Sequence, residues 1–162
     1  MNFDLKKQGT EVIIYHTHTT EAYTKSDKDN YELSGEYRTL DKNYNVVRVG
    51  ERIKELLEKK GFGVYHEKEI YDYPSYNLSY SKAGKAITAL TKKYNKANVV
   101  LDVHRDALGT GKEIYRPIVN IGGNDAAQIL LVVGSNQGGL NHSNWRENLK
   151  FALKLQQIAN QK

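Results

Sequence analysis

Two stretches of this chain hold residues able to do chemistry. In "EVIIYHTHTTEAY", residues 11 to 23, His16 and His18 directly follow the apolar run Val12–Tyr15, and Glu21 comes three residues later. In "VVLDVHRDA", residues 99 to 107, a second apolar run ends on His104, with Asp102 and Asp106 on either side. The chain has 5 histidines and no cysteine. A transition metal would therefore have to be held by His, Asp and Glu. Zinc takes such nitrogen and oxygen ligands tetrahedrally, and a catalytic zinc keeps one position open for water. There it lowers the pKa of that water and polarises a carbonyl. His16, His18 and His104 are the candidate nitrogen ligands. Glu21 is a nearby carboxylate, and Asp41 stands before a predicted helix, at the positive end of its dipole.

Each element also has a plainer reading. A lone His-x-His is more often a polar strand end than a metal site, and a lone His104 would be a hydrogen-bonded core residue. Convergence is what favours a metal, because open α/β sheets bind ligands at the carboxyl ends of their strands. In an extended chain residues i and i+2 share one side, so both His16 and His18 are expected to face the same cleft. His66 lies inside a strand beside Glu67 and reads as structural or surface. His142, in "GGLNHSNW", reads as a loop or capping residue. Gly138 and Gly139 suit a turn rather than a phosphate cradle, since no P-loop lysine follows.

The elements that must position these residues follow from periodicity. Val12–Tyr15 reads as a short buried strand. Residues 24–44 are polar and aperiodic, hence a long loop, a kind of segment that is often functional. Val46, Val49, Ile53, Leu56 and Leu57 recur at helical spacing, and Gly61 supplies a stop. "GVYHEKEI" reads as a strand, Pro74 sits in a tyrosine-rich loop, and a helix is expected from about Ser81 to Tyr94 with Ile87 and Leu90 inward. "ANVVLDVH", "EIYRPIVNI" and "QILLVVGS" read as three more strands, the middle one at an edge because of Pro117. A last helix begins near Asn144, with Trp145, Leu149, Ala152, Leu153 and Leu155 to Ile158 on its apolar side. This alternation predicts an α/β fold: a single three-layer domain with a mostly parallel central sheet and flanking helices. The two most apolar early strands, Val12–Tyr15 and Val99–Val103, should be neighbours.

Composition narrows the class. The 162 residues suit one domain. No run approaches a membrane span or a signal peptide. The absence of cysteine excludes disulfides and thiolate zinc sites. The formal charge of +5 favours an anionic partner such as a cell-wall polymer over none, though a generally basic surface is the commoner cause. Nothing points to nucleic acid.

The blocks "VIIYHTHTTEAY", "YNVVRVGERI", "YDYPSYNLSYS", "VVLDVHRDA" and "GGLNHSNWRENLKFALKLQ" occur in this order, and the chain resembles the stage II sporulation protein P family over about residues 11–160. That family is similar to the zinc-dependent N-acetylmuramoyl-L-alanine amidases. The resemblance implies an amidase-like fold, Zn2+ as cofactor, and cleavage of the amide joining glycan to stem peptide in peptidoglycan, with peptide cross-links as a further target. It implies work during forespore engulfment, in the extracytoplasmic space between mother-cell and forespore membranes, by a protein anchored to a membrane in its full-length form. It also implies stage II sporulation proteins D and M as partners. Laid on the amidase pattern, His18 takes the first ligand position, with His16 as the alternative, and His104 takes the third. The carboxylate ligand falls on Glu21 or Asp41, and Glu21 is the candidate catalytic base. The amidases' late strand with a catalytic glutamate has no glutamate counterpart in "ILLVVGSN"; the expectation is a catalytic domain, residues 1–162, that either stops before that strand or has the acid replaced.

Two other functions compete. A metal-dependent phosphoesterase also begins with a strand and a His-x-His, but needs several more histidines around a multi-metal cluster. A non-enzymatic wall-binding module would use aromatics and no open metal position. Metal stoichiometry separates the three.

Overall fold

The computed structural model describes residues 9–110 and 113–161. The chain divides into two compact units, Met1–Asp106 and Ala107–Lys162.

The first unit is built on a parallel three-stranded sheet in the order β2-β1-β3. Strand β1 (Val12–Tyr15) pairs with β2 (Val64–His66) on one side and β3 (Val99–Asp102) on the other. The expected neighbours are thus paired, and their register sets Tyr15 opposite Asp102. Val12, Ile13 and Ile14 are buried at the centre of the sheet. Glycine makes one close strand entry possible. Gly63 O accepts from both Glu11 N and Val12 N, at 2.8 and 3.1 Å, and a Cβ on Gly63 would lie 1.7 Å from Gly9 O.

Helix α1 (Val46–Lys59) starts on Asn45, whose extended backbone and side chain cap it. Asn45 Oδ1 accepts from Val47 N at 3.0 Å, and its Nδ2 donates to Thr39 O at 3.1 Å. One side chain thus satisfies an orphan helix N–H and ties the end of the long loop to the helix. The buried face comprises Val46, Val47 and Gly50. It is rotated from the expected stripe, and Leu56 is exposed. The helix ends as expected: Gly61 has positive φ, and Phe62 N returns to Leu57 O at 3.1 Å. Helix α2 (Ser79–Lys93) begins earlier than its periodicity suggested, because a 3-10 turn at Tyr76–Leu78 leads into it. It buries Ser79, Ala83 and Leu90.

The second unit departs from the expected parallel sheet. It contains two antiparallel pairs, β4 (Leu108–Thr110) with β5 (Glu113–Tyr115), and β6 (Ile118–Ile121) with β7 (Asn124–Ala127). Gly122 and Gly123, both at positive φ, make the β6–β7 turn, the geometry that two-residue hairpins require. "EIYRPIVNI" is therefore two strands split at Pro117, which has no N–H to give to a ladder. "QILLVVGS" forms no strand. A strand is defined by its ladder, and among the described residues none pairs with this run; Ile129, Leu130 and Val132 are 77, 67 and 84 % exposed. Helix α3 (Trp145–Ala159) follows, with no buried residue. Among the described residues no helix is long and apolar enough to cross a membrane.

Two helical glycines test this packing with opposite signs. A Cβ on Gly50 would meet His66 Nε2 at 2.6 Å and His16 Nε2 at 2.8 Å, whereas one on Gly84 in α2 would meet nothing within 4 Å. Gly84→Ala should stabilise the protein by about 0.5–1 kcal/mol, the ordinary helix effect. Gly50→Ala should instead destabilise it by about 1–3 kcal/mol through overpacking. Urea unfolding of both variants measures this; equal stabilisation would mean that α1 does not press on the two histidines.

Candidate functional site

Because β1 and β3 are parallel and in register, the chain leaves both at the same edge of the sheet. Val103 N donates to Tyr15 O at 2.9 Å, continuing the ladder one step past the strands. The Asp102 carboxylate then accepts from Thr17 N at 2.9 Å and Thr17 Oγ1 at 2.5 Å. It also meets His104 Nε2 at 2.9 Å. One carboxylate thus fixes the turn after β1 against the residue that ends β3.

The turn explains why the two early histidines do not share a face. Residues 17–20 are coiled rather than extended, so His16 and His18 diverge. His16 points inward. Its Nδ1 lies 2.7 Å from Val103 O and its Nε2 lies 2.9 Å from His66 Nε2. His66 in turn places Nδ1 3.0 Å from Glu51 Oε2. Burial pushes His16 down to about 4, so it is neutral at ordinary pH. Both of its ring nitrogens are engaged.

His18 points the other way. Its ring stacks on Tyr76 (centroids 4.5 Å apart, 7° between planes), meets Tyr80 edge-on at 5.2 Å, and lies 5.4 Å from the ring of His104. Burial lowers its pKa. Its Nδ1 is buried and has no hydrogen-bond partner. His104 Nδ1 stands 3.4 Å from Glu21 Oε2, and Glu21 Oε2 accepts from Arg105 N at 3.1 Å. Arg38 reaches Glu21 Oε1 at 3.5 Å and Asp72 Oδ2 at 2.5 Å. Asp72 also holds Thr20 through its N and Oγ1.

These contacts set the charges. Hydrogen bonds to Asp102 and Glu21 raise His104 to about 9 against the opposing effect of burial. Burial works against the charge on Glu21, yet the His104 and Arg105 donors outweigh it and hold the carboxyl below its ordinary value. Asp102 behaves likewise: burial is overcome by hydrogen bonds from His104 and Thr17.

Of the residues singled out by sequence, the fold gathers His18, Glu21 and His104 into one cluster, with His16 behind it. Asp41 is not among them: it is exposed, and its Oδ1 accepts from Asn43 N and Nδ2, both at 2.9 Å. That is an Asx turn leading into α1. Among the described residues no three His, Asp or Glu side chains are already set as a metal-binding group. The chemistry of the donors nevertheless suits a cation. Two imidazoles and a carboxylate converge, and one buried ring nitrogen is left without a partner. Sequence reasoning missed Arg38, Asp72, Tyr76 and Tyr80, whereas His66, expected to be structural or surface, is the structural partner of His16. Tyr76 and Tyr80 were read as part of a tyrosine-rich loop, because the helix was expected to start only at about Ser81.

The ionic state of the cluster is measurable by NMR in metal-free protein. His104 should titrate near pH 9, well above the 6.5 of a free imidazole. The folded pKa is the higher one, so this contribution to stability is complete below pH 6.5 and is lost as pH rises through about 9. Asp102→Asn should move the midpoint down by at least about one unit. A wild-type midpoint at or below 6.5 would mean that the two carboxylates do not hold the ring.

Comparison with known proteins agrees with the blocks read from the sequence. The family described as Stage II sporulation protein P matches residues 2–162. The stage II sporulation protein P of Bacillus subtilis (strain 168) is 25% identical over 157 residues, covering 93% of this chain and 36% of that protein. A pantothenate synthetase of Bacillus licheniformis is 30% identical over 91 residues, covering 49% of this chain and 31% of that enzyme. This chain thus spans about a third of the length of the curated relatives it matches. No solved structure matches it. With the family matched over nearly its whole length, the chain belongs to the stage II sporulation protein P family.

Proposed function

We propose that this protein is a zinc-dependent peptidoglycan hydrolase that cleaves the N-acetylmuramoyl-L-alanine amide, and peptide cross-links besides, during sporulation. The observation that carries this reading is the unpartnered, buried Nδ1 of His18 beside the His104–Glu21 pair. His18, His104 and Glu21 would hold the ion. Bound there, zinc would polarise the scissile carbonyl and lower the pKa of a water.

The chain's own residues have separable tasks. Asp102 keeps His104 oriented through Nε2 and leaves Nδ1 toward the cluster; carboxylates commonly stand behind metal-binding histidines in this way. Tyr76 supports the flat face of His18. The low pKa of Glu21 suits a ligand better than a base, so Glu21 is assigned to holding the ion. Arg38, beside Glu21, brings a fixed cation near the place where negative charge develops on the carbonyl oxygen, where preorganised donors stabilise the transition state. His16, with both nitrogens engaged, is assigned to holding the sheet edge rather than the metal. In this reading the protein works outside the cytoplasm during engulfment, with stage II sporulation proteins D and M as partners.

Zinc content of purified variants tests the assignment. Wild type should carry one zinc per chain. His18→Ala, Glu21→Ala and His104→Ala should lose most of it, and Asp41→Ala should keep it. His16→Ala should lose stability before zinc. Asp102→Asn should bind zinc about 10–100-fold more weakly. Zinc-loaded protein digested with purified peptidoglycan should release stem peptides, read by mass spectrometry. Full zinc in both His18→Ala and His104→Ala would refute the ligand set. Two or three metals per chain would favour the phosphoesterase reading.

A further inference from the structure

A groove that shares no lining residue with the cluster lies at the start of α1. It encloses about 350 Å³ and is lined by Tyr23, Tyr31, Tyr44, Arg48, Arg52 and Asp29. A second hollow of similar volume shares Asp29, Tyr44 and Arg48 with it and adds Lys28. The walls are well fixed. Tyr31 is buried, its hydroxyl donates to Tyr23 O at 2.5 Å, and its ring lies 6.0 Å from that of Tyr44. Arg48 and Arg52 are four residues apart in α1, hence on the same helix face.

The two arginines are anchored weakly. Arg48 meets Asp29 at 2.7 Å and Arg52 meets Glu55 at 2.9 Å, but the arginine side chains are 62 and 61 % exposed. Ion pairs of this kind contribute little because water screens them. Each guanidinium also has five donors, so one carboxylate partner leaves several over. A ligand carboxylate can therefore bind in the bidentate mode that arginine favours without breaking anything costly.

The groove is joined to the cluster through the backbone. Val46 N donates to Glu21 O at 2.8 Å, and Ala22 is bridged to Asn45. Tyr23, on the groove wall, follows Glu21 by two residues, and its hydroxyl lies within the fields of both Glu21 and Arg105. The groove wall and the cluster thus share one stretch of backbone, residues 21–23.

We propose that this groove binds a carboxylate-bearing peptide, its carboxylates on Arg48 and Arg52 and its apolar atoms against the tyrosine faces. Resting on the hydrolase reading, that peptide is the stem peptide of peptidoglycan. The glycan is the poorer occupant, because neutral N-acetyl sugars carry no charge to meet the two arginines.

The test is titration calorimetry of the full chain, metal-free, with the synthetic tripeptide L-Ala-γ-D-Glu-L-Lys and with the same tripeptide amidated at its carboxylates. The acidic peptide should bind, and its amidated form about tenfold more weakly. The double variant Arg48→Ala/Arg52→Ala should bind the acidic peptide at least about tenfold more weakly, with an unchanged circular dichroism spectrum and unchanged zinc uptake. Raising salt should weaken binding to the parent. Equal binding by parent and double variant, or of acidic and amidated peptides, overturns the proposal. Because no cleavage is measured, the two readings fail separately. Arginine-dependent binding by a protein that never releases stem peptides would sink the hydrolase and leave the groove standing.

Discussion

Asp102 is the group on which the functional end of this protein depends. It ends β3, opposite Tyr15, and its carboxylate takes Thr17 N, Thr17 Oγ1 and His104 Nε2 together. Without it the turn after β1 would have no fixed relation to β3, and the rings of His18 and His104 would have no reason to lie 5.4 Å apart. The parallel register brings the two strand ends to the same edge. The carboxylate converts that proximity into a defined arrangement, because three charge-assisted donors leave it one orientation.

Burial makes that arrangement stringent. The six residues from His16 to Glu21 are all polar and all buried. Each polar group there, if unpaired, would cost about 1–3 kcal/mol. Most are answered within the unit. Thr19 Oγ1 lies within hydrogen-bonding distance of Glu69 O and His16 O, Thr20 binds Asp72, His16 binds Val103 O, and Glu21 binds Arg105 N. Against that background the partnerless His18 Nδ1 stands out, with Glu11 Oε1 and Ser79 Oγ the other buried side-chain atoms so described. Of the three, it alone lies on a ring that faces another imidazole.

The sequence made much of the first unit legible. Val12–Tyr15 and Val99–Val103 were recognisable as neighbouring strands because both are short, apolar and end in histidine, and α1 was legible from its stripe and from Gly61. Three things were hidden. The turn at 17–20 replaced an extended chain, since Thr17 prefers Asp102 to a strand ladder; that preference depends on a residue 85 positions away. Arg38 and Asp72 meet only because the long loop folds back, with Thr39 N on Thr20 O at 2.9 Å, and no local pattern encodes such a return. In the second unit periodicity misled outright. "QILLVVGS" has the composition of a buried strand, yet hydrophobicity supplies only the preference for burial, and a neighbour must supply the hydrogen bonds.

The charge pattern explains why His104 keeps its proton. Glu21, Asp72 and Asp102 bring three carboxylates into one region, and Arg38 and the protonated His104 offset two of those charges. Removing the His104 proton would leave Asp102 and Glu21 facing each other across a neutral ring, which is why that proton is held to about pH 9. A divalent ion on His18, Glu21 and His104 would take over the proton's electrostatic task. His104 would lose its Nδ1 proton while Asp102 kept its hold on Nε2, since ligation requires a neutral imidazole and releases the proton. Arg38 would stay in place through that proposed exchange. Its contact with Asp72 is 2.5 Å and that with Glu21 only 3.5 Å, so Glu21 can turn to a cation while the guanidinium keeps its better partner. The proton on His104 thus stands where the proposed ion would act.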